Sequence, residues 1–223
     1  MFFSEKIISI KPTDKVLEIG PGATPHKRSN AFLELNYIDS KDRVSQRGGG
    51  TTEPKFGNKP LYFYDGINFP FKNNEFDYII CSHVVEHVPD PIHFMSEIFR
   101  VGGGRGYIEY PMITYEYLYN FDVHQHFVKF DFLNETLRYI PKKNTSFFEF
   151  IEVQAIYLKT LERGWDELCS FNKKLFFEGF EFNQPFKIVE ESNIDKLLPS
   201  AELITKRKFT TRILIKLINK LGL

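Results

Sequence analysis

The segment that most constrains this chain is Val16-Leu17-Glu18-Ile19-Gly20-Pro21-Gly22, an apolar run that ends in an acid and opens into a Gly-x-Gly turn. A short β-branched and leucine-rich run of this kind reads as a buried strand. Glycines directly after it let the backbone adopt angles closed to other residues and let a ligand lie against the main chain. That is how the first strand of a parallel α/β sheet receives a nucleoside-type cofactor. No third glycine follows, since Ala23, Thr24 and Pro25 come next, so the turn alone is a weak signature.

Downstream segments supply what the turn lacks. The chain continues with Leu61-Tyr62-Phe63-Tyr64-Asp65-Gly66, then Phe69-Pro70-Phe71, then the run from Asn74 through Phe76-Asp77-Tyr78-Ile79-Ile80-Cys81-Ser82-His83 to Glu86-His87-Val88. Arg100-Val101 and Gly106-Tyr107-Ile108-Glu109-Tyr110-Pro111 close the series. In this order and spacing the motifs resemble the class I S-adenosylmethionine-dependent methyltransferases, in their type 11-like branch. The resemblance covers about residues 14–140 and thins beyond.

It implies an α/β fold: a Rossmann-like, mostly parallel sheet with flanking helices. The spacing adds an abbreviated first crossover, because Gly22 and the apolar stretch from Ala31 lie too close for a full helix. Residues 2–10 read as a short amphipathic helix, 15–19, 61–64, 76–81 and 105–110 as strands, and 91–100 as a helix opened by Asp90-Pro91. Residues 41–60 form a long polar loop. Beyond Pro111 a short helix is expected at 115–121, a hairpin over 124–140, helical spacing at 147–171 and extended chain at 176–189, together a C-terminal β-hairpin and helical cap. The division is a methyltransferase domain at 1–205, with a cofactor half of about 14–112 and an acceptor half of about 113–205. A basic amphipathic helix at 206–223 follows.

The family resemblance implies S-adenosylmethionine as cofactor and assigns residues to it. Glu18, Gly20, Pro21 and Gly22 would line its methionine end, with Glu18 also suited to fixing the loop. An acid at the end of the second strand would hold the ribose diol: Glu34 in the favoured register, Asp39 if the strand is shifted onward. Asp65, with Gly66, matches the acid that accepts from the adenine amino group, although Asp-Gly is also a plain turn. His83 follows the fourth strand, where cofactor and acceptor meet. Glu86-His87 matches a family motif that more often buttresses the loop than does chemistry.

Methyl transfer from a sulfonium needs alignment and a competent nucleophile. For a hydroxyl acceptor that means a base, and His124-Gln125-His126 stands out because residues two apart on a strand share a face. His83, His124 and His126 are the catalytic candidates. The His124/His126 spacing equally suits half a metal site, without a third ligand legible in sequence, or hydrogen bonds across the hairpin. The family reading calls for no metal.

Composition narrows the rest. With 223 residues and 42% hydrophobic content the chain can bury one good core. Lys+Arg and Asp+Glu balance at 29 each, which argues against nucleic acid, as does Cys81-Ser82-His83-Val84 where an Asn-Pro-Pro-Tyr-type motif would stand. Cys81 and Cys169 read as reduced thiols, and the absence of a signal-like or membrane-length apolar run points to a cytoplasmic protein. The tail from Lys206 to Leu223 is suited to packing on the domain, or to contact with a partner or the inner face of an anionic membrane. The function expected is methylation of a small molecule or a glycan hydroxyl, the latter linking it to polysaccharide biosynthesis. The alternative is a non-catalytic S-adenosylmethionine-binding or scaffold protein.

Overall fold

The computed structural model describes residues 1–37, 55–146, 151–161, 163–164, 166–200 and 220. Six strands make the central sheet: β1 (Val16–Ile19), β2 (Ala31–Leu35), β3 (Leu61–Tyr64), β4 (Tyr78–Ser82), β5 (Gly106–Pro111) and β8 (Phe177–Phe182). Their order is β3-β2-β1-β4-β5-β8, parallel throughout except for β8, which runs antiparallel to β5. The order reverses between β1 and β4, and in open α/β sheets ligands collect in the crevice at that point. This is the Rossmann-like class that the motifs imply.

Burial on both faces explains why β1, β4 and β5 read as continuous apolar runs without alternation. One face carries Leu17, Ile19, Ile79, Cys81, Ile108 and Tyr110 into the main core, where Phe94, Met95, Ile98 and Val101 of helix α1 (Pro91–Gly102) pack. Asp90 caps that helix by accepting from the backbone N–H of His93 at 3.0 Å, and Gly103, left-handed at φ 59°, ends it. The opposite face carries Val16, Tyr78, Ile80 and Tyr107, against which Ile7 and Ile10 lie.

That N-terminal segment departs from expectation. Instead of a helix over 2–10 there is one 3-10 turn, Ser4–Lys6, with extended chain around it. The physical reason lies in its backbone donors. The N–H groups of Phe2 and Phe3 bond the carboxylate of Glu109, and those of Ile8 and Ser9 bond Glu181, so the helical ladder is replaced by bonds to side chains.

Bends and one turn, with no helix, lead from β1 to β2, so the abbreviated crossover stands. After β5, helix α2 (Ile113–Tyr119) is followed by a hairpin of β6 (His126–Asp131) and β7 (Thr136–Pro141). Strand β9 (Lys187–Glu190) joins β7 in parallel to form a second, three-stranded sheet. Val128, Phe130, Leu137 and Tyr139 of this sheet enter the same core as α1. Helices α3 (Ile151–Leu161), α4 (Asp166–Phe171) and α5 (Lys173–Phe176) precede β8. The basic tail apart from Lys220, most of the loop at 41–60, Asp39 and Trp165 lie outside the described residues. Cys81 and Cys169 are both buried thiols.

Close packing of β4, β5 and β8 depends on Gly106. A Cβ there would lie 2.5 Å from the carbonyl oxygen of Ile79 and 2.8 Å from the Phe182 ring. Backbone cannot yield as a side chain can, so Gly106→Ala should destabilise the fold by about 1–3 kcal/mol. Urea unfolding of the two proteins checks it through the shift in midpoint.

Candidate active site

A cavity of about 330 Å³ opens at the carboxyl ends of β1, β2 and β4, at the reversal of strand order. The Gly20–Gly22 turn, Glu18 and Glu34 form one wall, and Ser82, His83, His87 and His124 another. Phe2, Tyr115, Phe121 and Phe177 supply its aromatic side. A few polar groups converging in a partly apolar crevice of this size are the usual make-up of a small-ligand site.

The two glycines act differently. Gly20 is left-handed at φ 61°, and a Cβ on it would meet Val84 at 2.5 Å, so it is required by the fold as well as by any ligand. Around Gly22 a Cβ would meet nothing within 4 Å, which leaves main chain bare toward open space. Glu18 is committed to the loop: its Oε2 accepts from the Ser29 hydroxyl at 2.6 Å and the His26 N–H at 2.8 Å. Burial raises its pKa against those two bonds. Glu34, the penultimate residue of β2, is 4% exposed and lines the cavity.

Asp65 and Gly66 stand elsewhere. The Asp65 carboxylate accepts from the N–H groups of Ile67 and Asn68, each at 2.9 Å, and neither residue lines the cavity. Two backbone bonds, from Asn68 and Ile67, hold its pKa down. This is the Asx turn that the Asp-Gly pair also allowed.

His83 sits at φ 57°, left-handed, just after β4. It donates from Nε2 to Glu109 Oε1 at 2.9 Å, and its Nδ1 is 3.6 Å from Glu86 Oε1. Burial opposes the charge on His83, but Glu109 and Glu86 outweigh it and raise the pKa to about 9. The two carboxylates thus favour the charged form of this imidazole, whereas a base needs the neutral form.

The pair His124 and His126 is split. Backbone N–H groups of Gln125 and His126 both reach the Glu86 carbonyl, at 2.7 and 3.2 Å, and β6 starts only at His126. The chain therefore bends between the two imidazoles, and the shared strand face does not form. His126 is 5% exposed, donates to the Val88 carbonyl at 2.9 Å and packs on Tyr139. Burial lowers its pKa, and it does not line the cavity.

His124 does line it. Its Nδ1 is 2.5 Å from Glu116 Oε1, while Lys142 Nζ donates to Glu116 Oε2 at 2.8 Å and to the Phe121 carbonyl at 3.0 Å. A carboxylate on Nδ1 favours the tautomer that leaves Nε2 toward the cavity as the acceptor nitrogen. His87 meets the His124 ring edge to face at 4.5 Å, and burial pushes its pKa down to about 4, so it is neutral. Glu116, Glu109, Phe2 and the closeness of His87 to His124 were not singled out by sequence reasoning. The Glu86-His87 motif was the available signal, joined to His124 only by the fold.

Residues 43–109 match the family model described as methyltransferase domain. A curated relative, sterol 24-C-methyltransferase of Schizosaccharomyces pombe, is 27% identical over 113 residues, covering 47% of this chain and 30% of that enzyme. The chain thus spans about a third of its relative's length. Among solved structures, a putative methyltransferase from Bacillus halodurans is 18% identical, covers 48% of this chain and 49% of that one, and gives a TM-score of 0.35. A methyltransferase from Thermotoga maritima, titled a possible histamine N-methyltransferase, is 17% identical with a TM-score of 0.33, covering 49% of each chain. Over residues 43–109 the chain is thus similar to methyltransferase domains.

S-adenosylmethionine, the cofactor that the motifs imply, fits the cavity on two observations: the bare main chain at Gly22 and the buried carboxylate of Glu34 near the end of β2, both lining it. Gly22→Leu should therefore fill ligand space without strain, leaving the thermal midpoint near that of the parent while cutting affinity for S-adenosylhomocysteine at least about tenfold, the effect of about 1.4 kcal/mol. Calorimetric titration checks it. Gly20→Leu, by contrast, should lower stability first.

Proposed function

We propose that this chain transfers a methyl group from S-adenosylmethionine to a hydroxyl of a small molecule or a glycan. The observation that carries the reading is the placement of Glu34 and the Gly20–Gly22 turn in one cavity at the β1/β4 reversal. When bound, the cofactor supplies a methyl group on a sulfonium, already activated toward attack. Glu34 accepts from the ribose hydroxyls, and the Gly20–Gly22 main chain lies along the methionine end. Phe2 and Phe177, stacked at 3.8 Å, cover the cavity's aromatic side and exclude water there.

At the opposite wall His124 is the imidazole suited to be the base. Its Nδ1–H is fixed by Glu116, so Nε2 accepts the hydroxyl proton and the developing imidazolium is stabilised by the same carboxylate. The acceptor half comprises the elements from α2 onward, which contribute Tyr115, Phe121 and His124 to the cavity. The glycan preference rests on the family branch alone. The basic tail is read as a contact to a partner or an anionic membrane, and among the described residues no helix is long and apolar enough to cross one.

Methyl-labelled cofactor offered with sugar and small-molecule alcohols tests the reading. Label should pass to an acceptor oxygen; cofactor binding with no demethylation in any alcohol class would favour the non-catalytic alternative. Glu34→Ala should weaken cofactor binding by about 1.5–3 kcal/mol, the worth of charged hydrogen bonds. His124→Ala should leave that binding nearly intact and lower turnover about 10²–10⁴-fold.

A further inference from the structure

Glu86 is the least satisfied group in the described protein. Its side chain is fully buried, and neither carboxylate oxygen has a hydrogen-bond partner. The nearest side-chain nitrogens, His83 Nδ1 and His87 Nε2, stand at 3.6 and 3.7 Å. A buried carboxylate with unmet lone pairs is costly, and a native structure that keeps one usually supplies its counterpart from outside. Beside it are two imidazoles. One ligand atom from each of Glu86, His87 and His124 lies within 4.8 Å of the others.

We propose that Glu86, His87 and His124 form a binding site for a first-row divalent cation such as Zn²⁺ at the acceptor end of the cavity. Two imidazoles and one carboxylate are the donor set of open catalytic zinc sites, with the fourth position left to water or substrate. Imidazole donors select first-row transition cations over Mg²⁺, which prefers oxygen and water. In a tetrahedral site with bonds of about 2.0–2.1 Å the donors stand about 3.4 Å apart, so the side chains close by roughly an ångström on binding.

The surrounding groups already prepare this. His124 is turned by the Glu116 carboxylate on its Nδ1, the arrangement by which a carboxylate fixes the tautomer and ring plane of a metal-bound histidine. Lys142 holds Glu116 in turn. His87 and His124 line the same cavity as Glu34 and Gly22, so the open position of the cation faces the space where the acceptor enters.

On the methyl-transfer reading, on which this role rests, the acceptor hydroxyl oxygen takes the open position. Its proton passes to solvent water, because a bound cation lowers the pKa of an oxygen ligand by many units. The alkoxide lone pair then forms the O–C bond to the methyl group as the C–S bond breaks, and that electron pair neutralises the sulfonium. With the cation bound, His124 is a ligand; its action as base belongs to the cation-free protein.

Zn²⁺ titration of the chelator-treated full chain, read by competition with a chromogenic chelator and by the visible bands of Co²⁺ as a substitute, tests the site. One saturable cation per chain is expected, lost at least 100-fold in affinity in His87→Ala and in His124→Ala and retained in His93→Ala, whose imidazole lies on α1 outside the cavity. Glu116→Gln should weaken it about 10–100-fold. Should a ligand variant fail to fold, the parent protein still decides: its thermal midpoint must rise with Zn²⁺ in a saturable way. Absence of that rise and of stoichiometric binding, or binding undiminished in the His87/His124 double variant, overturns the site. S-adenosylhomocysteine titrated without metal separates the two readings, since its binding does not depend on the cation site.

Discussion

The carboxylate of Glu109 is the interaction on which the geometry of this protein most depends. It is fully buried on the parallel strand β5, and it accepts from Phe2 N–H, Phe3 N–H, Ser82 Oγ, His83 Nε2 and Tyr107 Oη. A buried charge is tolerated only when it is paired and its lone pairs are filled, and here the donors come from three separate parts of the chain. His83 and Tyr107 outweigh the burial and bring the Glu109 pKa to about 2. One carboxylate thereby fixes the N-terminal segment over the sheet, aligns the end of β4 and holds His83 as a cation.

The cavity inherits its character from that arrangement. Strands β1, β2 and β5 carry the buried acids Glu18, Glu34 and Glu109, and the loop after β4 adds Glu86. Three buried acids are answered by different partners: Ser29 and His26 for Glu18, His83 and its companions for Glu109, His124 and Lys142 for Glu116. Glu86 alone among the buried carboxylates whose partners have been described accepts no hydrogen bond. On the proposed readings, His87 and His124 beside it supply that wall of the cavity with its base and its metal donors.

Much of the fold is legible in the sequence because its determinants are local. Apolar runs ending in glycine, Asp90-Pro91 before α1 and Gly103 after it each act within a few residues. The helix expected at 2–10 fails for the opposite reason, since its backbone donors are claimed by Glu109 and Glu181, more than 100 residues away. The Gly20–Gly22 turn after β1 and the place of Glu34 near the end of β2 are readable for the same local reason. Asp65 kept the turn that its own sequence favours. His124 was singled out with the wrong neighbour: period-two reasoning joined it to His126, whereas the bend set by the Glu86 carbonyl turned it toward His87. Tertiary contacts that assemble Glu86, His87, His124 and Glu116 from three segments leave no trace in spacing.

The central claim is that the crevice at the β1/β4 reversal holds S-adenosylmethionine. A crystal structure of the chain with S-adenosylhomocysteine tests it most directly. The account predicts ligand density along the Gly20–Gly22 main chain, with the ribose diol on the Glu34 carboxylate and the sulfur toward His124. Density at another surface, or a ribose with no contact to Glu34, would contradict it.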